Sequence, residues 1–356
     1  MRLILGTFAV VAALAVGVMG RGGADSADAC AGLIGSNGAV NLGRTSTLAA
    51  YHDGVEHYVT AFEFQGGGGE FGTLIPLPGV PTEVERGGGW TLQRLQIETA
   101  PPAAAATSFL QDGAGEERAA EVLQEVRIDA LDITVLKGGG ASVAEWATEH
   151  GFRLSPDAPE VLEFYANRSP IFMAAVFDGT AAAERGQAIG DGTPVSLTIP
   201  TDNPWVPLRI LGLGKQADDF IQADVFLLTD EQPAILPRPN EGMALTYSQP
   251  ASDFLLDDLR SDDGTEWIPD EAYLTKLEIN SSAADLRYDL AVDTSGLNEP
   301  SRVDAGLEVS APSIPTVPGE GGDSSWIAWV LLAGLAGVIG LLVVRGRRDQ
   351  ERDANR

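Results

Sequence analysis

The feature that most constrains this chain is an apolar run without a single charge, Trp326 to Val344, WIAWVLLAGLAGVIGLLVV. As a helix rising about 1.5 Å per residue it would be about 28 Å long, close to the hydrocarbon thickness of a bilayer. Trp326 and Trp329 stand at one end, where the membrane interface favours aromatics. Arg345, Arg347 and Arg348 follow the other end, which the positive-inside rule assigns to the cytoplasm. No polar face runs along the segment, so a buried core helix is the weaker reading. The run predicts one C-terminal transmembrane helix.

The other end reads as a secretory signal. Arg2 precedes an apolar run, Leu3 to Gly20, and Ala27-Asp28-Ala29 fits a small-residue cleavage pattern before Cys30. An uncleaved helix and a lipid-modified Cys30 are the competing readings. Together the ends predict a signal peptide over 1–29 and an extracytoplasmic domain over 30–310, with a subdivision near 180–195 left open. A Pro/Gly/Ser stalk over 311–325, the span 326–344 and a cytoplasmic tail 345–356 complete the order. The expected location is the cell membrane of the envelope, single-pass, with the N-terminal domain outside. The formal charge is −28, from 23 basic and 51 acidic residues, and only three residues are lysine. A protein tracking nucleic-acid phosphates needs a basic face, and this composition excludes that class. With one cysteine, a disulfide framework is excluded too.

Between the ends, strand patterns dominate. Asp53-Gly54 sits between two runs rich in Thr, Val, Tyr and Phe, a two-residue hairpin signal that pairs Tyr51 with Glu56 and His52 with Val55. Tyr51, Tyr58, Thr60, Phe62 and Phe64 then share one face, and Leu48, His52, Val55, His57 and Val59 the other. Phe71 to Pro81 (FGTLIPLPGVP) carries three prolines that cannot donate to a ladder and reads as an edge or extended segment. Glu121 to Lys137 reads as a long strand or strand pair. Helices are expected over Ser142–His150, with a Ser142/Glu145 capping box, over 158–167 and over 252–259. Further strands are expected over 171–177, 195–199, 206–213, 221–228, 273–279 and 286–292. The sum is a strand-dominated α+β domain with too few helices for regular βαβ alternation.

Catalytic signatures are sparse. No H-E-x-x-H and no G-x-S-x-G occurs. His52 and His57 fall on one hairpin face about 7 Å apart, with Glu63 further along, so a metal is a candidate ligand there. No third ligand is fixed by spacing. Asp257 to Glu266 is acidic enough to raise calcium, but it fails the EF-hand register. No cofactor is expected beyond a weakly held divalent cation.

Four passages resemble the bacterial exported family catalogued as domain of unknown function 2330. They are Cys30-Ala31-Gly32-Leu33; Phe62 to Gly66 with Phe71 to Pro81; Trp146 to Phe152 with Leu162 to Tyr165; and Pro194 to Ile199 with Val206 to Ile210 and Val225 to Leu228. The resemblance covers most of 30–230 and, more loosely, up to about 290. Its most specific part is F-x-x-x-I-P-x-P-x-x-P. Family members carry further cysteines, which this chain lacks. The resemblance implies an exported protein, often membrane-anchored, and no reaction.

The expected function is therefore a cell-surface binding or assembly module whose partner is an envelope protein or glycan. Phe71, Pro76, Pro78 and Pro81 are the expected binding feature. The alternative is a membrane-tethered, carboxylate-based enzyme acting on envelope glycans.

Overall fold

A computed structural model of the chain describes residues 32–35, 41–42, 45–61, 64–65, 71–100, 121–178, 193–240 and 242–308. The expected signal, Cys30, Phe62, Glu63, the stalk, the apolar run 326–344 and the tail lie outside them. Among the described residues no helix is long and apolar enough to cross a membrane.

Among the described residues, seventeen strands and four helices follow one another. The strands are β1 (Gly32–Gly35), β2 (Asn41–Leu42), β3 (Thr45–His52), β4 (Val55–Ala61), β5 (Phe64–Gln65), β6 (Phe71–Leu77), β7 (Glu83–Arg86), β8 (Glu121–Ile128), β9 (Leu131–Lys137), β10 (Ile171–Phe177), β11 (Val195–Pro200), β12 (Trp205–Val206), β13 (Phe220–Thr229), β14 (Ala234–Leu236), β15 (Met243–Pro250), β16 (Tyr273–Ser282) and β17 (Leu290–Asp293). The helices are α1 (Thr91–Glu98), α2 (Gly140–Glu149), α3 (Ala158–Ala166) and α4 (Asp253–Arg260), with a 3-10 turn at Arg209–Gly212. This is the strand-dominated, helix-poor pattern expected.

Two sheets carry the fold. A seven-stranded sheet runs β15-β16-β13-β3-β4-β11-β7, and a five-stranded sheet runs β1-β6-β10-β9-β8. Among the described strands, all pairs are antiparallel except β13 with β3. The small sheet β12-β17-β14 lends Val206, Leu290 and Val292 to the same core. Strands from before and after residues 179–192 alternate in the larger sheet, so one ladder spans the position near 180–195.

The inner strands β10 and β13 are buried on both faces. In β10 every position is buried. Ile171, Met173, Ala175 and Phe177 point into the core between the sheets, while Phe172, Ala174 and Val176 meet α2 and α3. In β13, Ala223, Val225 and Leu227 face the central core, whereas Phe226 and Leu228 lie under α1 and α4 with Leu92, Leu95, Leu255 and Leu259. Side chains alternate across a strand, so a strand covered on both sides reads as a continuous apolar run. The result is four layers: helices, sheet, sheet, helices.

The hairpin at Asp53-Gly54 forms in the expected register, Tyr51 opposite Glu56 and His52 opposite Val55. Asp53 and Gly54 take φ of 50° and 81°, the left-handed pair that a type I′ turn demands. The run 121–137 is a strand pair, turned at Asp129 and Ala130.

Three expectations are corrected. The helix expected from Ser142 begins at Gly140, with no side-chain cap of its own. Instead the Gly140 N–H donates to Glu163 Oε2 at 3.2 Å. A Cβ at Gly140 would lie 2.4 Å from the Glu163 nitrogen, so only glycine permits this approach of α2 to α3. The strand expected over 206–213 is two residues of β12 and then the 3-10 turn. Its amide groups are captured: Leu208 and Arg209 N–H donate to Asp289 Oδ1 at 2.7 and 2.9 Å, and Ile210 N–H to the Tyr165 hydroxyl at 2.8 Å. The proline segment is not an edge strand. β6 lies between β1 and β10, and Pro76 sits past the last β1 pair, Leu74 with Gly32. Among the described residues none pairs with Pro76 on the β1 side, and there a missing N–H costs least.

Asp289 is the polar centre of the fold. Besides those two amides its Oδ1 accepts from the Tyr165 hydroxyl at 2.8 Å, and its Oδ2 accepts from the Arg168 guanidinium. Arg168 also donates to the carbonyls of Val303 and Asp304. Phe164, Tyr165 and Trp205 surround it, their ring centres 4.3, 4.9 and 4.8 Å from the guanidinium carbon. Removing one partner of a buried, hydrogen-bonded ion pair leaves an uncompensated charge and costs about 3–5 kcal/mol. Asp289→Ala is expected to lose about that much in urea unfolding. Arg127→Ala, which removes the half-exposed partner of Asp132 and Asp178, should lose only about 1 kcal/mol or less.

Candidate functional site

The residues expected to bind a partner are mostly interior. Pro76 and Pro81 are buried and Pro78 is half-buried. Phe71 pairs through its backbone with Gly35 and Phe177. Of this segment, Val80 at its tip is the large apolar side chain open to solvent. The Pro-rich passage thus turns the chain from β6 toward β7.

The two histidines share the hairpin face as expected, but each has its own partner. His52 Nδ1 lies 2.6 Å from Asp230 Oδ1, and its Nε2 lies 3.6 Å from Asp53. His57 stacks flat on Trp267, ring centres 3.9 Å apart. Burial, and secondly the neighbouring His52, push the His57 pKa down to about 4. Its Nδ1 is buried without a hydrogen-bond partner. Among the described residues no three His, Cys, Asp or Glu side chains converge as a metal site would require.

The acidic run is occupied by the fold. Asp262 accepts the N–H groups of Trp90 and Thr91, at 3.0 and 2.8 Å, and the Thr91 hydroxyl at 2.7 Å, all on Oδ2. Its Oδ1 takes the N–H groups of Gly89 and Asp263, both at 3.1 Å. The first turn of α1 is therefore capped from a distant loop, since Trp90 offers no side-chain cap. Burial raises the Asp262 pKa, but the donors from Trp90 and Thr91 outweigh it and leave the group below its ordinary value. Asp257 pairs with Arg260, and Asp258 with Arg94.

A carboxyl group that belongs to no motif is strongly perturbed. Glu56 is fully buried, and neither of its oxygens has a hydrogen-bond partner. It lines a cavity of about 10 Å³ with Tyr51, Trp205, Val206, Leu227 and Thr229, at the lower limit of what holds a single water. Burial drives its pKa up to about 8. The Trp205 backbone N–H lowers it in part, without reaching hydrogen-bonding geometry. The signal was present in the strand alternation. Glu56 is paired with Tyr51 and shares the face of Tyr58 and Thr60, which faces the core.

On the outer helical layer the surface is different. Ile97 and Phe254 are each 71% exposed. Arg94 stands three residues before Ile97 on α1, its guanidinium 5.7 Å from the centre of the Phe254 ring. It is fixed at 2.8 Å to both Glu98 and Asp258. Partial burial, and secondly the Glu98 charge, raise the pKa of Tyr247 on the edge strand β15. An aromatic, an aliphatic and an immobilised arginine within one polar rim form the composition typical of interaction hot spots.

The family described as "uncharacterized protein conserved in bacteria (DUF2330)" matches residues 24–288. No curated protein matches the chain. Among solved structures, a mutated baculovirus P35 after caspase cleavage aligns with TM-score 0.37 and 8% identity, over 70% of this chain and 99% of that one. Baculovirus P35 itself aligns with TM-score 0.36 and 9% identity, over 72% and 98%.

Glu56 and the half-buried His57 set opposite pH slopes. Between pH 4.5 and about 8 folded Glu56 keeps a proton that the unfolded chain releases, so its contribution falls as pH rises. His57 does the reverse: below pH 6.5 the unfolded chain gains a proton that folded His57 refuses until about 4. Glu56→Gln should be more stable than the parent by roughly 3 kcal/mol at pH 7. That gap should close toward zero by about pH 4.5 in denaturant titrations across pH. A gap independent of pH would show that Glu56 is ionised in the fold.

Proposed function

The chain belongs to this bacterial DUF2330 family, and from that premise we propose that it is a binding or assembly module held at the cell membrane with its folded domain outside the cytoplasm. The observation that carries the reading is the exposed Ile97–Arg94–Phe254 surface. Its apolar side chains are open to solvent while its arginine is already held by two carboxylates. Such a surface arrives preorganised, and a partner need not spend ordering entropy on it.

The display geometry rests on the sequence of the two ends. A signal over 1–29 exports the chain, and the run 326–344 anchors it, leaving the arginine-rich tail inside. The partner is an envelope protein or glycan. A surface of this acidity repels anionic polymers, so the contact is apolar and aromatic rather than electrostatic. A tethered glycan-directed enzyme would need an acid-lined cleft open to a sugar. Glu56, the strongly raised carboxyl, sits instead in a cavity with room for about one water.

The test is in-cell crosslinking of the tagged full-length protein in its native membrane, read by mass spectrometry, for the parent and for Ile97→Ser/Phe254→Ser. The parent should recover one stoichiometric partner, and the double variant tenfold less or lower, because an aromatic hot spot is worth about 2 kcal/mol or more. Urea midpoints should stay within experimental scatter, since neither side chain packs in the core. Equal recovery by both proteins would remove this surface from consideration.

A further inference from the structure

We propose that Lys276 and Asp224 become joined by an amide bond within the folded chain, with Glu278 relaying the protons. Lys276 Nζ lies 3.3 Å from Asp224 Oδ1 and 2.9 Å from Glu278 Oε1. Lys276 and Asp224 are both buried, and Glu278 opens toward solvent. The register makes this arrangement unavoidable. Lys276 is paired with Phe226, and Asp224 with Glu278, on the adjacent strands β13 and β16. On one face of that ladder Lys276 is thus diagonal to Asp224, within reach of a long side chain. Its ammonium lies 5.7 Å from the centre of the Phe226 ring, and α1 and α4 cover this face.

The choice of residue points the same way. Most cations of this chain are arginines, which cannot act as nucleophiles at any ordinary pH. Of the three lysines, Lys137 is exposed and Lys215 half-buried, and Lys276 is the interior one. A buried ammonium–carboxylate pair is costly as ions. Transfer of one proton gives the neutral amine and acid, which are the reactive forms. Reacting groups held at contact distance gain the large effective concentration of an intramolecular reaction.

The balance is simple. Nζ attacks Cγ of Asp224, forming a C–N bond. From the neutral pair, one proton leaves Nζ by way of the Glu278 carboxylate and joins the departing Asp224 oxygen, which already carries the proton transferred first. The C–O bond breaks, one water is released, and nothing is oxidised or reduced. The product fastens β13 covalently to β16 within the seven-stranded sheet.

The experiment is proteolysis of the full-length protein purified from its native membrane, followed by tandem mass spectrometry. The expected result is a branched peptide joining 220–229 to 273–282, lighter than its two parts by one water. Lys276→Arg and Asp224→Ala should yield the two peptides separately. Glu278→Gln should leave most of the chain unjoined although the parent residues remain. Should those variants misfold, the parent protein alone decides. Separate, unmodified Lys276 and Asp224 peptides in the parent would mean an ordinary buried ion pair and overturn the proposal.

Discussion

The Arg168–Asp289 pair is the interaction on which the arrangement of the other parts depends. One carboxylate takes charge from α3, two amides from the chain entering the 3-10 turn, and the hydroxyl of Tyr165. One guanidinium reaches on to the carbonyls of Val303 and Asp304. The last described segment, the small sheet and the helical layer over the five-stranded sheet are therefore tied at a single point. A buried charge is tolerated when its lone pairs and protons are matched. Asp289 is matched on both oxygens, whereas Arg168 Nε is left without a partner. The aromatic rings packed around the guanidinium offset part of that deficit.

The same logic governs the acidic character of the domain. Several carboxylates are used as acceptors for amide groups that no local residue caps. Asp262 does this for α1, Glu163 for α2 and Asp289 for the turn after β12. An acid reaching a helix start from elsewhere meets both the open N–H groups and the positive end of the helix. Here much of the excess negative charge does structural duty, and metal capture is not needed to explain it.

These remote contacts also mark where the sequence could be read and where it could not. The Asp53-Gly54 hairpin was legible down to its register because the turn chemistry is local and fixes the pairing. β10 and β13 were legible because burial on both faces leaves an unbroken apolar run. The helix expected over 252–259 formed as α4, whose start Ser252 serves locally, accepting from the Leu255 N–H. Val206 to Leu213 misled because its strand-like composition is overruled by Asp289, which stands far along the chain. The prolines misled because Pro76 lies in β6 beyond its last pair with the described residues of β1, where a missing N–H costs least. The sequence carried no local sign that Ile97 and Phe254 would stay exposed, since that depends on which helix faces the sheets leave uncovered. Glu56 was legible in principle, and looking only for pairs and motifs passed over a single acid on an aromatic face.

The parallel pairing of β3 with β13 has a consequence for how the molecule comes into being. The His52–Asp230 contact beside it joins residues 178 positions apart. The larger sheet cannot be completed until β13 and β16 have been made. Until then the hairpin of β3 and β4 offers an unpaired edge and two apolar faces. Chains dominated by such distant contacts fold slowly and expose aggregation-prone surface meanwhile. For a chain synthesised from its N-terminus, the order of elements therefore imposes a long wait, and with it a dependence on whatever shields the early strands until the later ones arrive.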